Sequence, residues 1–199
     1  MTPRANAPAA ESGVIPAQAG IQGWRKLLHA LGLAFNLFKL RIGIVIAVTA
    51  LAGAAIQPGP PVPASQLAIL AIAVLVSSAA AGAFNQYYER EFDGLMERTR
   101  RRPFVTGALK HHAGWPWLIA LMTAFAVAGA WLAVNPAAAL YTFLGAFFYA
   151  IVYTVWLKRR TWLNIVVGGL AGSFAVLAGA AAVTPALSPE ALLLALVLF

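Results

Sequence analysis

Apolar residues in this chain fall in long unbroken runs rather than at alternating positions. The runs are Ile42 to Ile56, Leu67 to Phe84, Trp115 to Val134, Ala137 to Leu157 and Ile165 to Val183. Each approaches the ~20 residues that cross a hydrocarbon layer ~30 Å thick. None alternates with the period of two that a transmembrane strand needs, so the runs predict helices. The fold class is therefore all-α, a polytopic transmembrane helical bundle with five full spans. The first span is expected to extend backwards through the mixed segment near Phe35. A sixth helix opens at Ser188-Pro189-Glu190, with a capping serine and a proline in the first turn. From there the sequence runs only about ten residues to Phe199, or ~15 Å of helix, half a bilayer. That predicts a truncated sixth span.

Polar segments complete the layout. Residues 1 to about 23 are polar, rich in Ala, Pro and Gly, and aperiodic; they predict a disordered tail and lack the apolar core of a signal peptide. Residues 24–199 form the membrane-embedded domain. Within it, Trp24 to Leu40 reads as an interfacial helix leading into the first span. Basic residues sit before the first span, after the second (Arg90, Arg98, Arg100, Arg101, Arg102, Lys110) and after the fourth (Lys158, Arg159, Arg160). The alternate connections, 57–66, 135–136 and 184–190, hold no Lys or Arg. This alternation predicts a cytoplasmic N-terminus and two cytoplasmic basic loops.

Composition narrows the function classes. The chain is 61% apolar and 10% charged, against about 45–50% and about 25% in soluble domains, which excludes an ordinary soluble domain. A net charge of +8 in so apolar a chain points to a lipid bilayer and away from nucleic acid. The absence of cysteine excludes a disulfide framework, a Cys-ligated metal and thiol catalysis.

Four of the six acidic residues lie between Glu89 and Glu97, directly after the second span. Asn85, Glu89, Asp93 and Glu97 are spaced i, i+4, i+8, i+12, which on a helix stacks them along one face. Carboxylates so placed repel one another unless a cation neutralises them. Oxygen ligands of this kind suit Mg²⁺, which binds through one or two carboxylates plus substrate phosphates. Arg98, Arg100, Arg101 and Arg102 follow, and guanidinium groups grip phosphate oxygens bidentately. An acidic ladder beside a basic cluster at a lipid boundary predicts an amphiphilic substrate with an apolar tail and a diphosphate head. Lys158 ends the fourth span on the same side, within reach of such a head.

The blander readings stay beside these. A charged loop after a span is commonly a topology signal or a headgroup contact, and a lysine at a helix end commonly snorkels. His111 and His112 read as solvated, His29 as interfacial, and the tryptophans as interface anchors. No nucleophile elbow or nucleotide-binding loop is present. A non-catalytic membrane subunit or transporter is the rival class; the absence of ionisable residues at mid-span weighs against it.

At these residues the chain resembles the UbiA-type intramembrane prenyltransferase superfamily, whose Asn-x-x-x-Asp-x-x-x-Asp motif matches Asn85, Glu89 and Asp93. Within it the resemblance is greatest to the protoheme IX farnesyltransferase (heme O synthase) family. It rests on Asp93-x-x-Met96-x-Arg98-Thr99-x-x-Arg102-Pro103, on Tyr153-Thr154-x-Trp156-Leu157-Lys158-Arg159, and on Asn164-Ile165-Val166-Val167-Gly168-Gly169. The resemblance implies a parent bundle of about nine helices and transfer of a farnesyl group from farnesyl diphosphate to a vinyl group of protoheme IX (heme b). It implies Mg²⁺ on Asn85, Glu89 and Asp93, with Arg98, Arg102 and Lys158 on the diphosphate. It also implies a bacterial inner membrane and a downstream heme A synthase or terminal oxidase as partner. Glu89 stands where Asp is commoner, and Lys39-Leu40-Arg41 where Lys-Pro-Arg is usual. The family's second Asp-rich motif has no counterpart here, so the chain alone is expected to be inactive. A UbiA-type transferase acting on 4-hydroxybenzoate or another quinone precursor is the alternative.

Overall fold

The computed structural model describes residues 16–199, with side chains from residue 22. The expected disordered tail falls largely outside the described residues; from Pro16 the chain is helical, so the helix expected to start at Trp24 begins earlier. The chain divides into two units, residues 1–34 and 35–199. The first, where described, is a single helix, α1 (Pro16–Leu37), whose last turn belongs to the second unit.

The second unit contains α2 (Leu40–Ile56), α3 (Ala64–Tyr88), α4 (Arg90–Asp93), α5 (Gly114–Ala133) and α6 (Pro136–Phe147). α6 runs directly into a π-helix, Phe148–Leu157, and α7 (Asn164–Val183) and α8 (Pro189–Val197) follow. No strand occurs among the described residues. Four helices are long and apolar enough to cross a membrane: α3, α5, α6 with its π-helical extension, and α7. A fifth span results if Gln22–Leu37 and α2 are counted together. This is the polytopic bundle that the apolar runs predict.

Helix starts follow local chemistry. Asn135 caps α6 by accepting from the Ala138 N–H at 2.8 Å, and Ser188 caps α8 from Ala191 at 3.2 Å. Each is followed by proline, whose missing N–H costs nothing in the first turn. The α1–α2 break has a different origin. Lys39 sits in the left-handed region (φ 47, ψ 43), the one non-glycine residue with positive φ among those described. That conformation costs about 1–2 kcal/mol, and it interrupts the continuous first span expected from Phe35 onward.

Lipid supplies no hydrophobic drive between helices, so association rests on close packing of small residues. The buried core is accordingly rich in alanine, including Ala50, Ala80, Ala138, Ala178 and Ala181. Large side chains such as Val48, Leu121 and Phe125 face outward. α2 crosses α7 where Gly53 meets the Val176 carbonyl and Gly179 meets the Ala50 carbonyl; a Cβ at either glycine would collide with backbone.

The fourth span, expected as one regular helix, changes register at Phe148. The Lys158 N–H donates to the Tyr153 carbonyl, five residues back, at 2.9 Å. π-helical turns concentrate at functional sites, and an apolar run carries no mark of them.

Gly179→Val should lower stability by about 1–3 kcal/mol through backbone overlap with α2. Gly129→Ala, where nothing lies within 4 Å of the added carbon, should stay within about 0.5 kcal/mol of the parent or gain slightly. Melting of both variants in detergent micelles checks the contrast.

Candidate functional site

The site is built where α3 ends. α3 stops at Tyr88, and Glu89 (φ −94, ψ 5) separates it from the single turn of α4. The backbone nonetheless keeps helical spacing across the join. The Glu89 N–H donates to the Asn85 carbonyl at 3.1 Å, and the Asp93 N–H to the Glu89 carbonyl at 2.8 Å. Asn85, Glu89 and Asp93 therefore stay one turn apart, and all three are buried, at 2%, 3% and 1% exposure. The fourth rung does not form. After Asp93 the chain tightens into i→i+3 turns, Leu95 N–H to Phe92 and Met96 N–H to Asp93. These swing Glu97 off the face; it is exposed and pairs with Arg100 at 3.2 Å. The four-rung ladder expected from spacing is corrected to three.

Each buried carboxylate faces one cation. Lys158, at the end of the π-helix, pairs with Glu89 Oε2. Arg102 donates to Asp93 Oδ2 at 2.5 Å. The turn carrying Arg102 is held by Thr99, whose hydroxyl donates to the Asp93 carbonyl at 2.9 Å. Two of the three cations proposed for a diphosphate are thus brought to the carboxylates. The third, Arg98, is exposed like Arg100 and Arg101 and is not drawn in.

One acceptor at this site has no partner: Asp93 Oδ1 is buried and receives no hydrogen bond. Leaving such an oxygen unmet is costly, and a bound cation would satisfy it. Among the described residues no group of three or more His, Asp or Glu could hold a metal. The donor set here is two carboxylates and an amide oxygen. This fits Mg²⁺, which keeps several waters and completes its shell with substrate phosphate.

Four residues at the site escape the sequence reading as functional groups. Lys39 Nζ donates to Asn85 Oδ1 at 3.2 Å and to the Tyr149 hydroxyl at 3.1 Å; read along the chain it is one more topology charge. Its backbone is left-handed, a conformation that clusters at functional sites. Tyr149 lies inside an apolar aromatic run. Thr154 is fully buried and accepts from Asn85 Nδ2 at 3.3 Å. Its one visible signal is a hydroxyl four residues before Lys158, the spacing of Asn85 before Glu89. Arg159 places its guanidinium 3.3 Å from the Phe92 ring centroid, a cation–π contact that ties the loop after the π-helix to α4.

Below Lys39 and Tyr149 lies an apolar cavity of about 180 Å³ between α2, α3, α6, the π-helix and α7. Its walls include Ile46, Val74, Ser78, Gly145 and Ala171. Gly168 leaves room for Tyr153, whose ring a Cβ would approach to 2.9 Å. Tyr153 in turn stacks on Tyr149, with centroids 5.4 Å apart. His111 and His112 make their contacts outside this assembly. His111 stacks on Tyr87 at 4.2 Å, and its imidazole is held below the ordinary range, first by desolvation and then by Arg90. His112 accepts from the Gly114 N–H, and His29 is exposed.

The UbiA prenyltransferase family profile matches residues 46–199. The chain belongs to the UbiA prenyltransferase family. With its apolar helices, that membership makes it an integral membrane protein. It is 58% identical over 164 residues to "Protoheme IX farnesyltransferase 2" of Paramagnetospirillum magneticum, covering 82% of this chain and 57% of the relative. It is 48% identical over 165 residues to "Protoheme IX farnesyltransferase 1" of the same organism, with the same coverage. "Protoheme IX farnesyltransferase" of Gluconacetobacter diazotrophicus is 41% identical over 153 residues, covering 77% and 48%. The chain thus spans 48% to 57% of the length of these relatives. No solved structure matches it significantly.

Lys158→Met strands the Glu89 carboxylate in a buried position. Destabilisation of about 3 kcal/mol is expected, the low end for a buried pair because Lys158 keeps a quarter of its side chain exposed. Adding Glu89→Gln should recover a large part of that loss, which a double-mutant cycle by denaturant unfolding will measure.

Proposed function

We propose that this UbiA-family chain carries the diphosphate-binding end of an enzyme that moves a farnesyl group from farnesyl diphosphate to a vinyl group of protoheme IX, giving heme O. One observation carries the reading. Two buried carboxylates, each faced by a cation, follow Asn85 at helical spacing, and Asn85 is hydrogen-bonded by Lys39 from the wall of an apolar cavity between helices. That arrangement suits a molecule with a diphosphate head and a hydrocarbon tail. The 58% identity to a protein named protoheme IX farnesyltransferase 2 supports heme as the acceptor over a quinone precursor.

Asn85, Glu89 and Asp93 are the residues that would hold Mg²⁺, with Asp93 Oδ1 as the acceptor now lacking a partner. When bound, the ion would neutralise charge building on the departing diphosphate. Arg102 and Lys158 exchange their carboxylate partners for phosphate oxygens, an exchange that Arg and Lys donors make readily. Arg98, exposed ahead of them, adds positive charge at the entrance. The cavity lays the tail between helices and keeps water from the allylic carbon. The C1–O bond breaks with its electron pair on the diphosphate. A vinyl carbon of protoheme bonds to C1, and water adds to the neighbouring carbon with loss of a proton, leaving a hydroxyethylfarnesyl chain.

We place the N-terminus in the cytoplasm on the charge alternation of the loops, and the protein in a bacterial inner membrane on its likeness to the bacterial relatives named above. A heme A synthase or a terminal oxidase is the partner that would take up the product.

A form extended to the full length of the curated relatives, reconstituted in a bilayer with farnesyl diphosphate, Mg²⁺ and protoheme, should yield heme O where this chain alone yields none, and no prenylated product when 4-hydroxybenzoate replaces protoheme. Asp93→Asn should cut the yield by about 100-fold or more, the scale seen when one group stabilising transition-state charge is removed. Prenylated hydroxybenzoate would contradict the acceptor, and undiminished yield from Asp93→Asn would contradict the site.

A further inference from the structure

The side chain of Asn85 is held by three partners, and all three agree on its orientation. Its Nδ2 donates to Glu89 Oε2 at 2.9 Å and to Thr154 Oγ1 at 3.3 Å, while its Oδ1 accepts from Lys39 Nζ at 3.2 Å. The reverse orientation would set oxygen against oxygen twice and amide N–H against ammonium once. Amide orientation is assigned from such networks, and here it is over-determined.

The three partners are not equivalent. Glu89 and Lys39 are charged, and a cation at the site would take both from the amide: it attracts the carboxylate and repels the ammonium. Thr154 is neutral and fully buried, so it has no such alternative. Its polarity is set by the backbone. Thr154 Oγ1 donates its one hydrogen to the Tyr149 carbonyl at 2.8 Å, five residues back. A carbonyl only accepts, so the hydroxyl proton is committed there and the threonine oxygen has only lone pairs left for Asn85. The i−5 reach follows the π-helical register; a threonine in a regular helix would bond the i−4 carbonyl instead.

We propose that Thr154 is a positioning residue: its hydroxyl, polarised by the π-helical Tyr149 carbonyl, keeps the amide nitrogen of Asn85 turned inward and presents Oδ1 as the oxygen offered to a cation. The inference rests on the metal reading above and adds a residue that the Asn-x-x-x-Glu-x-x-x-Asp pattern does not contain. Without the lock, the amide is free to turn once the cation draws Glu89 away and repels Lys39. It would then present an N–H₂ where a cation binds.

Mn²⁺ serves as the probe, its binding to the full chain in nanodiscs followed by loss of the free-ion electron paramagnetic resonance signal. Thr154→Val, isosteric but without the hydroxyl, should weaken Mn²⁺ binding by about tenfold, the low end for loss of a group that orients a ligand. Thr154→Ser should remain within about twofold of the parent. Asn85→Ala should weaken binding at least as much, and adding Thr154→Val to it should change nothing further. Thr154→Ala is measured beside the valine variant, with melting curves for both, so that misfolding is seen as such. Parent-like binding by Thr154→Val while Asn85→Ala fails would overturn the proposal and leave the metal reading intact. Failure of Thr154→Ser to restore binding, or a further loss in the double variant, would also overturn it. Unchanged Mn²⁺ binding in Asn85→Ala and Asp93→Asn would overturn the metal reading and this inference together.

Discussion

Two carboxylates, Glu89 and Asp93, are buried almost completely at the end of a long apolar helix, and that single constraint organises the site. A bare, unpaired carboxylate there is expensive. Instead each is matched by a cation: Lys158, at the end of the π-helix and 69 residues on from Glu89, and Arg102, in the turn after α4 and nine residues on from Asp93. Burying such pairs is roughly neutral for stability at best. Their retention makes sense when the partners are to be exchanged, carboxylates for a metal ion and cations for a diphosphate. The orphan oxygen on Asp93 and the apolar cavity under Lys39 and Tyr149 are where the two halves of such a ligand would go.

Delivering those groups accounts for the irregularities of the fold. A regular helix through residues 136–157 would rotate Thr154 and Lys158 away from Asn85 and Glu89; the π-helix brings them round. A regular helix through residue 39 would leave Lys39 among the topology charges; the left-handed turn points it at Asn85. Both departures are energetically unfavourable in isolation, and both converge on the same amide. The glycine-mediated crossing of α2 on α7 and the alanine core supply the close packing that holds these strained segments in place.

Spans, caps and the carboxylate face were legible in the sequence because each depends on local pattern. Apolar run length fixes a span, Ser188-Pro189 starts a helix, and i, i+4 spacing aligns Asn85, Glu89 and Asp93 even across the break at Glu89. Glu97 shows where that logic stops: spacing implies a common face only while the helix lasts, and i→i+3 turns after Asp93 end it. The cation partners of the carboxylates were half legible, since Arg102 and Lys158 carry charge but nothing local distinguishes them from the exposed Arg98. Lys39, Tyr149 and Thr154 were illegible as site residues. Their roles depend on a backbone register and on contacts 46 to 110 residues apart in sequence, neither of which leaves a periodic trace.

The account stands on the claim that one ligand engages both the carboxylate–cation pairs and the cavity, through a metal ion. Equilibrium binding of farnesyl diphosphate, inorganic pyrophosphate and farnesol to the reconstituted chain, each with Mg²⁺ and with a chelator, measures that claim directly. Farnesyl diphosphate should bind well only when Mg²⁺ is present, and more tightly than either fragment. Binding of farnesyl diphosphate that is indifferent to Mg²⁺, or no tighter than that of pyrophosphate, would contradict it.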